Sequence, residues 1–180
     1  MTRFHTILVD PPWPETGGGR RGAQHHYPVV PVRDMPALIL GADAWRPADN
    51  AHLYLWATNT HLPDGLWLMA ALGFAYKSCL TWEKPWIGLG QYFRGQTEHI
   101  LFGIRGNGLQ LRRAHTPRRD LTTLIRRSAF RLAKGERVHS RKPPESYERI
   151  EAASPPPRLE MFARGEARPG WTTWGNEAAA

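Results

Sequence analysis

The residues most suited to chemistry come early. Asp10-Pro11-Pro12-Trp13 directly follows the apolar run Ile7-Leu8-Val9. Asp10 offers a carboxylate acceptor. Pro11 and Pro12 lack backbone donors and fix φ, so the turn is stiff while their carbonyls remain acceptors. Trp13 adds a large flat face. This set suits an exocyclic NH2 on a planar aromatic ring. Such an amine is a poor nucleophile because its lone pair is delocalised into the ring. Two acceptors holding its hydrogens favour a pyramidal nitrogen and free the lone pair, with the proton taken up late or passed to water. That is proximity and electrostatic preorganisation without a covalent intermediate. The four residues alone equally allow a plain Asp-Pro-Pro turn with a core tryptophan.

Position favours the chemical reading. Ligands of open α/β sheets bind beyond the carboxyl ends of strands. Phe4–Asp10 reads as a strand covered on both faces, because its apolar run is continuous rather than alternating. Further strands are expected at His52–Ala57, Phe74–Trp82, His99–Ile104, Leu121–Ile125 and Arg158–Ala163. Asp34 is placed to cap a short helix ending at Gly41. Pro63 opens a helix stopped by Gly73, and Pro143-Pro144 starts another carrying Tyr147 and Ile150 on one face. Strands alternating with helices predict α/β architecture with a mainly parallel sheet. The strands flanking the loop "EKPWIGLGQYFRGQTE" are expected to pair antiparallel at one edge.

The 180 residues suit one domain. The single cysteine, Cys79, excludes an intrachain disulfide and reads as a packed thiol, consistent with a cytoplasmic setting. The expectation is no signal peptide and no membrane span, since no apolar stretch approaches the ~20 residues needed. The net charge is +8, and it is concentrated. Between Arg105 and Lys142 stand twelve Lys or Arg against Asp120 and Glu136, a local +10, so the rest of the chain is slightly acidic. A solvated arginine-rich surface would explain this; a polyanion footprint explains it better. His25-His26 is adjacent in a loop, and the eight histidines show no metal-ligand spacing, so no metal is expected. Gly17-Gly18-Gly19 and the "GLG" at 88–90 lack the context of a phosphate loop.

The motifs together resemble one family. "ILVDPPW", "HLYLWAT", "GFAYKSCLTWEKPWIGLGQYFRGQTEHILFGIRG", "HSRKPPESYERIEAASPPPRLEMFAR" and "GWTTWGNE" are similar, in order and over most of the chain, to blocks of a group of adenine-N6 methyltransferases. These use S-adenosylmethionine and include the catalytic subunit of eukaryotic messenger-RNA adenosine methyltransferase, with small bacterial and phage members. The resemblance implies a Rossmann-like class I fold of permuted order, with a mixed, mostly parallel sheet flanked by helices. It implies one methyltransferase domain over 1–180, active-site loops at 14–31 and 85–97, and a basic segment at 105–142.

The resemblance also assigns roles. Asp10, Pro11, Pro12 and Trp13 match the catalytic tetrad, with Asp10 also beside the methyl donor. Lys142 matches a lysine that approaches the donor's carboxylate. Glu160, Phe162 and Arg164 match positions lining the donor pocket, and Asn176 and Glu177 match positions near the ribose. Glu177 stands where the eukaryotic enzyme has glutamine, and Gly165-Glu166 where it has a histidine contact. From the residues alone, Lys142 and Arg164 could be exposed cations. Glu160, inside an apolar strand, needs a partner, which a ribose or a basic side chain would supply. Tyr27, Trp82 and Lys84 are candidates for gating or holding the target base, with core packing as the alternative for Trp82 and Trp86. Glu98-His99 match a pair read as structural or base-proximal. Arg112, Arg113, Arg118 and Arg119 are candidates for phosphate contacts.

The expected function is therefore methyl transfer from S-adenosylmethionine to adenine N6 in DNA, with the base flipped out or taken from a single strand. The same reaction on RNA is the alternative. A non-catalytic nucleic-acid-binding partner and a cytosine-N4 or glutamine-amide methyltransferase are further alternatives. A homodimer is compatible with the sequence.

Overall fold

The computed structural model describes residues 1–14, 30–88, 92–108, 111, 121–126, 142–165, 167–175 and 177–178. At its centre is β1 (Phe4–Val9). It pairs parallel with β2 (Pro47–Thr58) on one side and β6 (Arg158–Met161) on the other. Ile7, Leu8 and Val9 are buried on both faces, which accounts for the unbroken apolar run. The remaining strands are β3 (Ala75–Glu83), β4 (Thr97–Arg105), β5 (Leu124–Ile125) and β8 (Trp171–Trp174). The sheet order is β5-β3-β4-β2-β1-β6-β8. A separate parallel pair joins β7 (Arg164–Gly165) to β9 (Glu177–Ala178). The fold is the expected α/β arrangement, mixed and mostly parallel.

One strand runs against the others. β4 is antiparallel to both β2 and β3. The expected antiparallel pair is present but does not close the sheet, because β5 adds parallel to β3 outside it. β2 starts five residues earlier than the apolar run suggests, β5 is shorter than Leu121–Ile125, and β6 ends at Met161 rather than Ala163.

Helices cover both faces. On one, α1 (Met35–Leu40) and α2 (Leu62–Ala71) place Met35, Ile39, Leu68 and Met69 over Val9, Leu53, Leu55 and Met161. Helix α2 lies close to the sheet. A Cβ on Gly103 of β4 would stand 2.5 Å from Met69 Sδ, and one on Gly65 would stand 2.7 Å from Leu101 Cδ1. Gly73, at φ +82°, takes the left-handed turn after α2, while Phe74 N–H donates to Met69 O at 3.1 Å. Asp34 precedes α1 as expected, but its side chain makes no cap bond; a 3-10 turn over Val32–Asp34 leads in instead.

The opposite face carries α3 (Pro144–Ala153), whose Ile150 packs with Leu8, Tyr54, Trp56, Ile100 and Ile125. Buried Ser154 follows α3. Its hydroxyl meets Tyr54 Oη at 2.7 Å and His52 Nδ1 at 2.6 Å, tying the end of α3 to β2. Cys79 is half-buried in β3 and burial pushes its thiol up, in keeping with a packed role. No helix among the described residues is long and apolar enough to cross a membrane.

Candidate active site

Asp10 follows β1 at the carboxyl edge of the sheet. Alternation places it on the same face as Leu8, the face covered by α3. Glu160 of β6 is the register partner of Leu8 and shares that face. Because β4 is reversed, its first residues lie at this same edge: Glu98 pairs with Thr58 on one side and Trp82 on the other. Lys142 arrives from the chain just before α3.

These residues form an alternating line of charge. Lys142 Nζ is 3.2 Å from Asp10 Oδ1 and 2.9 Å from Glu98 Oε2, and Lys84 Nζ is 3.3 Å from Glu98 Oε1. The Lys142 side chain is 14% exposed and that of Glu98 18%. Its ammonium also lies 4.8 Å from the centre of the Trp56 ring. Burial alone would lower the Lys142 ammonium, but the carboxylates of Asp10 and Glu98 outweigh it and raise it above its ordinary value. Burial likewise opposes the Glu98 carboxylate, yet Lys142 and Lys84 bring it below the usual range. Each charge is compensated by its neighbour, which is what makes such a buried line tolerable.

Glu160 has its partner, though not a basic one. Tyr147 of α3 donates its hydroxyl to Glu160 Oε1 at 2.6 Å. Burial raises the Glu160 carboxyl; the Tyr147 bond opposes this and the nearby Asp10 charge adds to it. Tyr147 is itself pushed far up by burial and by Glu160. It is held edge-on to Trp171 at 5.6 Å, with Arg168 over its ring at 5.1 Å. Glu151 fixes that support by accepting from Arg168 Nε and Trp171 Nε1, each at 2.8 Å.

Phe162 turns the chain after β6 with a φ of +62°, a region costly for a bulky L-residue. Its ring meets Trp174 edge-on at 5.5 Å. Arg164 and Glu177 are register partners in the small sheet, so the backbones of two candidate donor residues are adjacent. Asn176, Tyr27, Arg112, Arg113, Arg118 and Arg119 lie outside the described residues.

Trp13 takes a different place from an open stacking platform. It is 7% exposed and belongs to the core beneath α1 and α2. Its Nε1–H donates to Trp56 O at 2.8 Å, and one face stacks on His61. Its backbone N–H donates to Pro11 O at 2.8 Å, so that carbonyl already carries one bond within the turn. Trp82 is buried between Trp56 and Trp86 in edge-on contacts of 6.2 and 6.0 Å, in line with its packing alternative. Among the described residues, the aromatics exposed near the edge lie in the β3–β4 loop: Trp86, Tyr92 and Phe93, the last two 94% and 88% exposed. That loop is tied at its base by Lys84 N–H to Gln96 O at 2.8 Å and Gly88 N–H to Gly95 O at 2.7 Å.

The Glu98-His99 pair separates across the sheet. Glu98 faces Lys142, whereas His99 Nε2 donates to Asn59 Oδ1 at 2.7 Å and Nδ1 accepts from Thr81 at 3.1 Å. Burial lowers the His99 imidazole, against the pull of Glu98. That neutral ring suits a structural role. Among the described residues no three or more His, Cys, Asp or Glu side chains gather where they could hold a metal.

Sequence reasoning missed Tyr147 as the partner of Glu160, Trp56 as the floor under Lys142, and His61. Tyr147 had a faint signal: it falls on the buried face of α3, where a phenol needs an acceptor.

A sequence model of the MT-A70 family matches residues 4–177. The chain is 25% identical over 193 residues to an N(6)-adenosine-methyltransferase MT-A70-like protein of Drosophila melanogaster, covering 98% of this chain and 27% of the relative. It is 27% identical over 187 residues to a probable N(6)-adenosine-methyltransferase MT-A70-like protein of Oryza sativa subsp. japonica, covering 98% and 23%. It is 24% identical over 193 residues to N(6)-adenosine-methyltransferase subunit METTL3 of Danio rerio, covering 98% and 28%. The chain thus spans about a quarter of the length of these curated relatives. With the family's match running over nearly every residue from β1 to β9, this chain belongs to the MT-A70 family.

Proposed function

We propose that this chain transfers a methyl group from S-adenosylmethionine to the N6 amine of adenine in a nucleic acid, DNA being the polymer we test first. The observation that carries this reading is the carboxyl-edge line Asp10–Lys142–Glu98 beside the Tyr147–Glu160 pair. The donor set fits the cofactor's chemistry. Lys142 is a buried ammonium suited to a carboxylate, Glu160 is a carboxyl able to accept from ribose hydroxyls, and Phe162 supplies an aromatic surface. Arg164, Asn176 and Glu177 complete the proposed set. The cofactor supplies a methyl group activated on a sulfonium sulfur.

What remains falls to the chain's own residues. Asp10 accepts one hydrogen of the adenine amine, and a backbone carbonyl of the stiff Pro11-Pro12 turn accepts the other. The nitrogen's lone pair is then directed away from the ring. Lys142 balances the Asp10 charge. The exposed Trp86, Tyr92 and Phe93 offer the flat contacts for the base that buried Trp13 and Trp82 do not. Lys84 anchors that loop to Glu98. Arg112, Arg113, Arg118 and Arg119 would track phosphates. A second reading is RNA, favoured by the relatives' printed name, adenosine methyltransferase.

The test is nucleoside mass spectrometry with isotope-labelled S-adenosylmethionine. Single-stranded DNA, duplex DNA and RNA are offered separately, with Asp10→Ala as control. Labelled N6-methyladenine that disappears in the control supports the reading and names the polymer. Label on cytosine or protein, or label surviving in Asp10→Ala, overturns it.

A further inference from the structure

His61 stands outside the charged line around Asp10. It sits in the 3-10 turn Asn59–His61 between β2 and α2, and its residue is 9% exposed. Among the described residues three contacts surround its ring. Nδ1 lies 2.7 Å from Asp64 Oδ2, in the first turn of α2. Nε2 lies 2.9 Å from the carbonyl oxygen of Pro14. The ring plane stacks on Trp13, with centroids 5.1 Å apart and planes inclined by 11°.

Both polar partners are acceptors. The Pro14 carbonyl has no hydrogen to give, and the 42% exposed Asp64 side chain is a carboxylate. Each ring nitrogen faces an oxygen that can hold it, Asp64 on one side and Pro14 on the other. The face-on stack with Trp13 adds a third restraint.

The contacts converge on one segment. Trp13 is held on its face by His61 and at its edge by Trp56 O, and the next residue is held through its carbonyl. The exit of the Asp10–Trp13 turn is thus fastened to the carboxyl end of β2.

We propose that His61 is a positioning residue for the transfer: anchored by Asp64, it clamps Trp13 and Pro14 so that the Asp10-Pro11-Pro12 acceptors keep one geometry toward the amine. This rests on the function proposed above. A displacement of about 1 Å at reacting groups costs on the order of 100-fold in rate, which sets the scale for losing the clamp.

The experiment compares wild type with His61→Phe, which keeps a flat ring and removes both hydrogen bonds, and with Asp64→Asn, a change at a half-exposed site that leaves the core packing alone. The expected result for His61→Phe is a fall in kcat of about 100-fold with donor Kd unchanged. Asp64→Asn should fall part of the way. The Trp13 indole N–H should exchange at least about tenfold faster in His61→Phe. Unchanged kcat in both variants, equal loss of donor binding and kcat, or an unchanged Trp13 indole exchange rate would overturn the proposal. A wild-type chain that transfers no methyl group would instead count against the proposed activity, and the Trp13 exchange readout then judges the clamp by itself.

Discussion

The Lys142 ammonium lies 3.2 Å from the carboxylate of Asp10, far from it in the sequence, and both side chains are less than a fifth exposed. The acceptor proposed for the adenine amine and the cation proposed for the donor carboxylate are therefore in contact. Occupying one site alters the electrostatics of the other.

Replacing Lys142 tests that coupling. Lys142→Met removes the cation between Asp10 and Glu98, leaving Glu98 to Lys84, and breaking such a buried pair costs about 3–5 kcal/mol. Urea melts should show this loss at neutral pH and partial recovery in acid, where a carboxylate can protonate. Calorimetric titration with S-adenosylmethionine should show weaker binding. Lys142→Arg should keep stability better than donor affinity, because a planar guanidinium fits the same space differently.

Glu98 sets an acid limit. Its folded value lies below its ordinary one, so it contributes stability above the usual carboxylate range and loses it as pH falls through the depressed value. Glu98→Gln should flatten the acid side of the stability profile measured by urea unfolding between about pH 7 and pH 3. An identical acid slope in the variant would mean that other carboxylates dominate.

Glu160 behaves in the opposite sense. Its folded value is raised, so the native state binds more protons than the unfolded state, and stability falls as pH rises through that window. Glu160→Gln should therefore raise Tm at neutral pH, with the gain shrinking toward acid, while S-adenosylmethionine binding weakens. A lower Tm at neutral pH would show that the Tyr147 bond outweighs the cost of the buried charge.

The basic segment makes a salt prediction. Substituting Arg112, Arg113, Arg118 and Arg119 by glutamine should weaken nucleic-acid binding at low salt. The slope of log K against log salt should fall by roughly 0.7–0.9 for each phosphate contact removed. Fluorescence anisotropy over a salt series measures both; an unchanged slope would place the phosphate track elsewhere.

Helix α2 can be tested through its close approach. Gly103→Ala puts a methyl group where Met69 Sδ already sits, 2.5 Å from the new Cβ. Overpacking of this kind costs about 1–3 kcal/mol, and pairing it with Met69→Ala should recover part of the loss in chemical denaturation.

Much of the frame was legible because its causes are local. A continuous apolar run marks β1, Pro63 and Pro143-Pro144 mark helix starts, and Gly73 supplies the left-handed turn after α2. The position of Asp10 at a strand's carboxyl end followed from the order of apolar residues and prolines alone. The resemblance then added the donor candidates, each at a position fixed by motif rather than by contact.

Other features depend on strand direction and register, which no short stretch encodes. Glu98 reaches Lys142 only because β4 runs antiparallel and brings its first residues to the edge where β1 ends. Glu160 finds a phenol rather than a cation because α3 crosses the same face with Tyr147 pointing inward. Trp13 could be read from sequence as platform or core, and the backbone carbonyl of Trp56 together with the His61 ring decided for core. A side chain's type limits the bonds it can make. Which partner it meets is settled by the packing of elements far apart in the chain, where burial makes an unpaired polar group costly and so leaves few arrangements open.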